Sequence, residues 1–147
     1  MLENLLKRRA LQAVCTLQFF QLYTMQITAD ELQQSPVPAA TVARAQFTTE
    51  IIDREPVDQV VKLDSQATRV YFFTDLRNLQ GRTIIHRWEF EGEVISEVEF
   101  NVGGPRWRVY SAKSLKPNEP GKWTVFVIDE SGWPLHASIF EHGVIVE

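Results

Sequence analysis

Residues 83–102 read TIIHRWEFEGEVISEVEFNV, and the way this stretch folds back on itself decides the fold class. Ile84, His86, Trp88 and Phe90 alternate with Ile85, Arg87 and Glu89, the period of a strand that buries one face. Val94, Val98 and Phe100 alternate with Glu97 and Glu99 in the second half, and Glu91-Gly92-Glu93 separates the halves. A three-residue loop there sets Trp88 against Ser96, His86 against Val98 and Ile84 against Phe100, with Phe90 facing Val94. A two-residue loop slips the register by one and puts Glu97 opposite His86 and Glu99 opposite Ile84 on the buried side, where an unpaired carboxylate is costly.

Working outward, the same alternation continues through Gly103-Gly104-Pro105-Arg106 as a second turn, which pairs Val102 with Trp107 and Phe100 with Val109. The expected inner face of this meander is Ile84, Trp88, Phe90, Val98, Phe100, Val102, Trp107 and Val109. Its outer face carries Arg87 across from Glu97, Glu99 beside Ile85 and Tyr110, and Asn101 beside Arg108. Further period-two runs lie at Ala43–Ile51, Val60–Leu63, Arg69–Leu76, Lys122–Ile128 and Pro134–Phe140, and all seven glycines fall outside or at the edges of the strands. About 7–9 short strands at close spacing predict an all-β, immunoglobulin-like antiparallel β-sandwich over residues 42–147.

The N-terminal 29 residues differ in kind. Lys7, Arg8 and Arg9 precede Ala10–Ala29, 20 residues without a charge of which 13 are apolar, the outline of a hydrophobic helix serving as signal peptide or membrane anchor. Gln12, Gln18, Gln21 and Gln26 interrupt it on several sides, so it has no single polar face. Residues 30–41 are polar and twice broken by proline, as a linker or cleavage region is. Cys15, the lone cysteine, excludes a disulfide scaffold, and Gln12-Ala13-Val14 before it fits poorly with lipoprotein processing. This outline places the domain in the periplasm, or anchored with the domain outside the cytoplasm, with membrane contact only if residues 10–29 are retained.

Beyond position 29 the chain holds 12 basic and 18 acidic residues, and no three Lys or Arg stand close together in sequence. Counterion release requires a basic stripe, so nucleic acid is not an expected partner. The stretches Arg69-Val-Tyr-Phe-Phe-Thr, His86-Arg-Trp-Glu, Phe100-Asn-Val-Gly-Gly-Pro-Arg-Trp-Arg-Val-Tyr-Ser and Gly121-Lys-Trp-Thr-Val-Phe-Val-Ile-Asp resemble the bacterial family catalogued as domain of unknown function 2914. The Gly-Gly-Pro-Arg-Trp-Arg segment is the most specific of them. The resemblance implies an envelope protein and transfers no catalytic residues.

The remaining chemistry is thin. No Ser sits in a Gly-x-Ser-x-Gly turn, and no glycine-rich loop opens a helix that would hold phosphate. His86 reads as a hydrogen-bonded core group rather than a base, and His136 and His142 lack metal-ligand spacing. Asp53, Glu55 and Asp58 read as a solvated turn rather than a calcium loop. Trp88, Trp107 and Trp123 are expected in the core. Trp133, in Ser131-Gly-Trp-Pro, is expected to pack against a neighbouring loop, and if exposed becomes a ligand anchor. These residues predict a noncatalytic domain without cofactor or metal that contacts an envelope protein through Arg87, Glu97, Glu99, Arg108 and Tyr110 or through a free sheet edge. The alternative is a glycan-binding module using Trp133, Tyr110 and Tyr71.

Overall fold

A computed structural model describes residues 39–143; the expected leader with its hydrophobic helix and most of the expected linker lie outside the described residues. The described chain is all-β, with strands β1 (Thr41–Thr48), β2 (Ile51–Ile52), β3 (Glu55–Pro56), β4 (Lys62–Leu63), β5 (Arg69–Arg77), β6 (Thr83–Phe90), β7 (Glu93–Asn101), β8 (Arg106–Ser114), β9 (Gly121–Asp129) and β10 (Pro134–His142). They form a three-stranded sheet in the order β1-β5-β8, a five-stranded sheet in the order β4-β10-β9-β6-β7, and the small β2-β3 hairpin.

The alternation read in β5 is the alternation that packs. Val70, Phe72, Thr74 and Leu76 are all fully buried and face the five-stranded sheet. An aromatic cluster joins the two sheets: Phe47 lies 4.7 Å from Phe140 and 5.9 Å from Trp88 between ring centroids, Phe72 lies 6.3 Å from Trp88, and Trp123 is 6.3 Å from Trp88. Edge-to-face pairs of this kind add about 0.5–1.5 kcal/mol each beyond the area they bury.

The β6-β7 hairpin has the expected register from Ile84–Phe100 to Trp88–Ser96 but reaches it by another route. Phe90 faces Glu93 rather than Val94, so the turn is the two-residue Glu91-Gly92, both at positive φ (48° and 85°). That is the conformation whose twist suits a tight hairpin. A bulge in β7 opposite Trp88/Glu89 then inserts one residue and restores the buried alternation. A short loop plus a bulge is equivalent, further along, to a longer loop.

The second turn overturns an expectation. β8 does not pair with β7; it crosses to the other sheet and pairs with β5, Trp107 opposite Leu76 and Tyr110 opposite Phe73. Residues 103–105 therefore bridge the two sheets instead of closing a hairpin. Phe73 and Asp75, which point away from the core, are nonetheless buried, because the β2-β3 hairpin folds over that outer face. The Arg44 guanidinium lies 5.1 Å from the Phe73 ring centroid, and Arg108 reaches Glu55 of the hairpin.

Candidate functional site

The two sides of the molecule are finished differently. At the β1/β4 side the chain between β1 and β4 joins the sheets: Val60 N–H donates to Phe47 C=O at 2.9 Å, Glu141 N–H to Val61 C=O at 3.0 Å, and Gly143 N–H to Leu63 C=O at 3.0 Å. At the other side, β7 and β8 are both sheet edges, and no strand of the described residues pairs with either one's outer edge. Each is nine residues long. Val98 and Phe100 of β7 and Val109 of β8 point inward but are only half-buried, so the core is incompletely covered there.

Charge divides along the same line. β7 carries Glu93, Glu97 and Glu99 and no basic residue; β8 carries Arg106, Arg108 and Lys113 and no acidic one. Lys113 Nζ donates to Ser96 Oγ at 3.1 Å, tying the two edges across the gap between the sheets, and partial burial lowers its pKa. Arginines that are far apart in sequence gather on the outer face of the three-stranded sheet. Asp75, 1% exposed, receives Arg77 at 2.9 and 3.0 Å and Arg106 at 3.1 Å. Glu55 accepts from Arg44 and Arg108, whose hydrogen bonds hold its carboxyl below the usual range.

Arg54, Arg106, Trp107, Arg108 and Val109 line a recess of about 240 Å³. Side chains of consecutive strand residues point to opposite faces, so four in a row can line one recess only where it opens on the strand's edge. Trp107 is therefore not a core residue. At 36% exposure it lies at the rim, against Gly103, where a Cβ would stand 2.9 Å from its ring. Neither glycine nor tryptophan alone announces this contact; it forms because residues 103–105 cross between sheets.

The five residues expected to share a face do not share one. Arg87 Nε donates to Glu97 Oε1 at 2.6 Å and Glu99 sits beside Ile85, all on the outer face of the five-stranded sheet. Arg108 and Tyr110 belong to the outer face of the other sheet, opposite Asp75 and Phe73. What Glu97, Glu99, Arg108 and Tyr110 do share is the open side, which their two strands border. Residues 81–141 match the protein family of unknown function DUF2914. The DUF2914 segment runs from the turn before β6 into β10 and so contains both open-side strands, the Gly103-Gly104 crossover and Trp133. The Arg69–Thr74 motif lies outside it. No curated protein matches the chain.

Trp133 also departs from expectation. It is 67% exposed at the tip of the β9-β10 turn. Asp129 organises that turn, its Oδ1 accepting from the Ser131 and Trp133 amides at 2.9 Å each and from Ser131 Oγ at 2.5 Å, while Arg82 pairs with its other oxygen at 2.9 Å. These bonds hold the Asp129 carboxyl below its ordinary pKa.

His86 is buried as expected. Its Nδ1 lies 2.9 Å from Ser111 Oγ and its Nε2 3.1 Å from Thr74 Oγ1, while Trp88 Nε1–H donates to the same Ser111 oxygen at 3.0 Å. A neutral ring satisfies all of these bonds, and desolvation pushes its pKa down to about 3. His142 is buried with Nδ1 on the Glu119 carbonyl, His136 is exposed beside Ser138, and Glu55 and Asp58 turn to separate partners, Glu55 to Arg44 and Asp58 to Thr48. Among the described residues no three His, Cys, Asp or Glu side chains come together as a metal site would require.

Proposed function

We propose that this chain is a noncatalytic cell-envelope protein whose immunoglobulin-like β-sandwich works by contacting another protein, and that the β7/β8 side is its contact surface. The observation that carries this is the pair of nine-residue edge strands, side by side, uncovered, and segregated by charge. Unpaired edges offer rows of backbone donors and acceptors that a partner strand satisfies, and flanking side chains select which strand. The Ala10–Ala29 outline and the envelope character implied by the family resemblance support the compartment.

A photo-crosslinking residue placed at Val94 or Tyr110 of the full-length protein, in a Gram-negative host, is expected to trap a discrete protein species in the envelope fraction. The same probe at Ile139, equally exposed but on β10, away from this side, should trap none. Equal trapping at all three positions, or none at Val94 and Tyr110, removes the reading.

The exposed Trp133 favours a second reading, a glycan-binding module of the periplasm or cell surface in which the rigid Asp129 turn presents an indole platform. Tryptophan fluorescence that responds to a cell-wall glycan in the parent and not in Trp133→Ala would establish it; a flat titration would end it.

A further inference from the structure

The charge on the two open edges is complementary, yet within one molecule these edges cannot pair, because they belong to different sheets. The Lys113–Ser96 contact ties the two strands across the sandwich, and they are joined through the four residues 102–105 and run in opposite directions. Taking Ser96 and Lys113 as level, one step along each strand sets Glu97 level with Ala112, and two further steps at a time set Glu99 level with Tyr110 and Asn101 level with Arg108.

A two-fold rotation about an axis parallel to these strands exchanges the two sheets and keeps strand direction. It sets β8 of one copy beside β7 of another, antiparallel, and does so twice. Each three-stranded sheet then continues into the five-stranded sheet of the second copy, and all four open edges are consumed in one closed, isologous contact. In this arrangement Glu99 sits opposite the partner's Tyr110 and diagonal to the partner's Arg108, and the half-buried Val98, Phe100 and Val109 gain apolar cover. Opposite charges across adjacent strands favour the pairing, whereas pairing like edge with like edge would oppose glutamate to glutamate.

We propose that the occupant of the open side is a second copy of this chain, β7 of each adding to β8 of the other. This rests on the reading of that side as the protein's contact surface and names its partner. The test is sedimentation velocity on the full-length protein over a range of concentrations, with circular dichroism confirming that each variant is folded. The parent is expected to sediment as a dimer. Glu97→Arg with Glu99→Arg, and separately Tyr110→Glu with Ala112→Glu, should each weaken the dimer by about tenfold or more, since each opposes like charges. An equal mixture of the two variants should recover it, because every Arg then meets a Glu.

A parent that stays monomeric overturns the proposal, as do variants that still dimerise alone or a mixture that remains monomeric. A monomeric parent whose Tyr110 probe traps a different protein would discard the second copy and keep the contact surface. A monomeric parent whose probe traps nothing would discard both.

Discussion

The two sides of this molecule solve the same problem in opposite ways. At the β1/β4 side the edge of the three-stranded sheet is covered by chain that crosses to β10, and Phe47 beneath it is 2% exposed among Phe72, Trp88 and Phe140. At the β7/β8 side no strand among the described residues covers either edge, and the aromatic Phe100 remains half-buried. Edge strands are hazards that proteins shield with charges, bulges and inward lysines, and β7 and β8 carry all three: glutamates and arginines, the bulge opposite Trp88/Glu89, and Lys113. The open side is thus shielded against indiscriminate pairing while keeping its strands long. That combination is what a selective contact needs.

The largest effect that separates the two sides should come from truncating their aromatics. Phe47→Ala empties a closed core site and should cost about 3–5 kcal/mol in denaturant unfolding. Phe100→Ala, at a site water already reaches, should cost under half of that; equal losses would mean that the open side is as well packed as the closed one.

Next comes the response to acid. His86 titrates near 6.5 when unfolded and at about 3 when buried, so between those values the unfolded chain binds more protons. Its stabilising contribution is complete above about pH 6.5 and is lost as pH falls toward 3, with a slope of up to about 1.4 kcal/mol per pH unit. Thermal melts from pH 7 to 5 should show this fall, and His86→Phe should flatten it. The ring of Phe100 stands 4.8 Å from the imidazole, so Phe100→Ala should also raise the His86 pKa by admitting water, as read from its NMR titration. A His86 titration that Phe100→Ala leaves unmoved would break the link between the open edge and the core.

Smaller still is Gly103→Ala, which forces the Trp107 ring from its seat and should change tryptophan emission while costing about 1 kcal/mol. The smallest is Arg87→Ala, which removes a half-exposed pair with Glu97 worth about 0.2–1 kcal/mol.

Much of this fold is legible from alternation. Strand positions, the inward faces of β5 and β6 and the β6-β7 pairing follow from which residues recur every second position, because a one-residue slip would bury Glu97 and Glu99. The relation of β8 to β7 is not legible in this way: period two says which residues share a face, not whether the next strand continues the same sheet or starts the facing one. Trp107 is misplaced by alternation for that reason, and Trp133 because the turn that presents it is held by Asp129, which accepts from the Trp133 amide and from Arg82, 47 positions before it. The arginine cluster around Asp75 and Glu55 has no signal in sequence, its members being dispersed from Arg44 to Arg108.

The sequence by itself determined that the domain is all-β, where its strands run and which side of each is apolar, since these depend on local alternation and burial cost. Only the tertiary structure decided that residues 103–105 carry the chain from one sheet to the other, because sheet membership is settled by contacts between strands distant in sequence. That single crossing leaves β7 and β8 as neighbouring, oppositely charged edges, and so it creates the surface on which the proposed function rests.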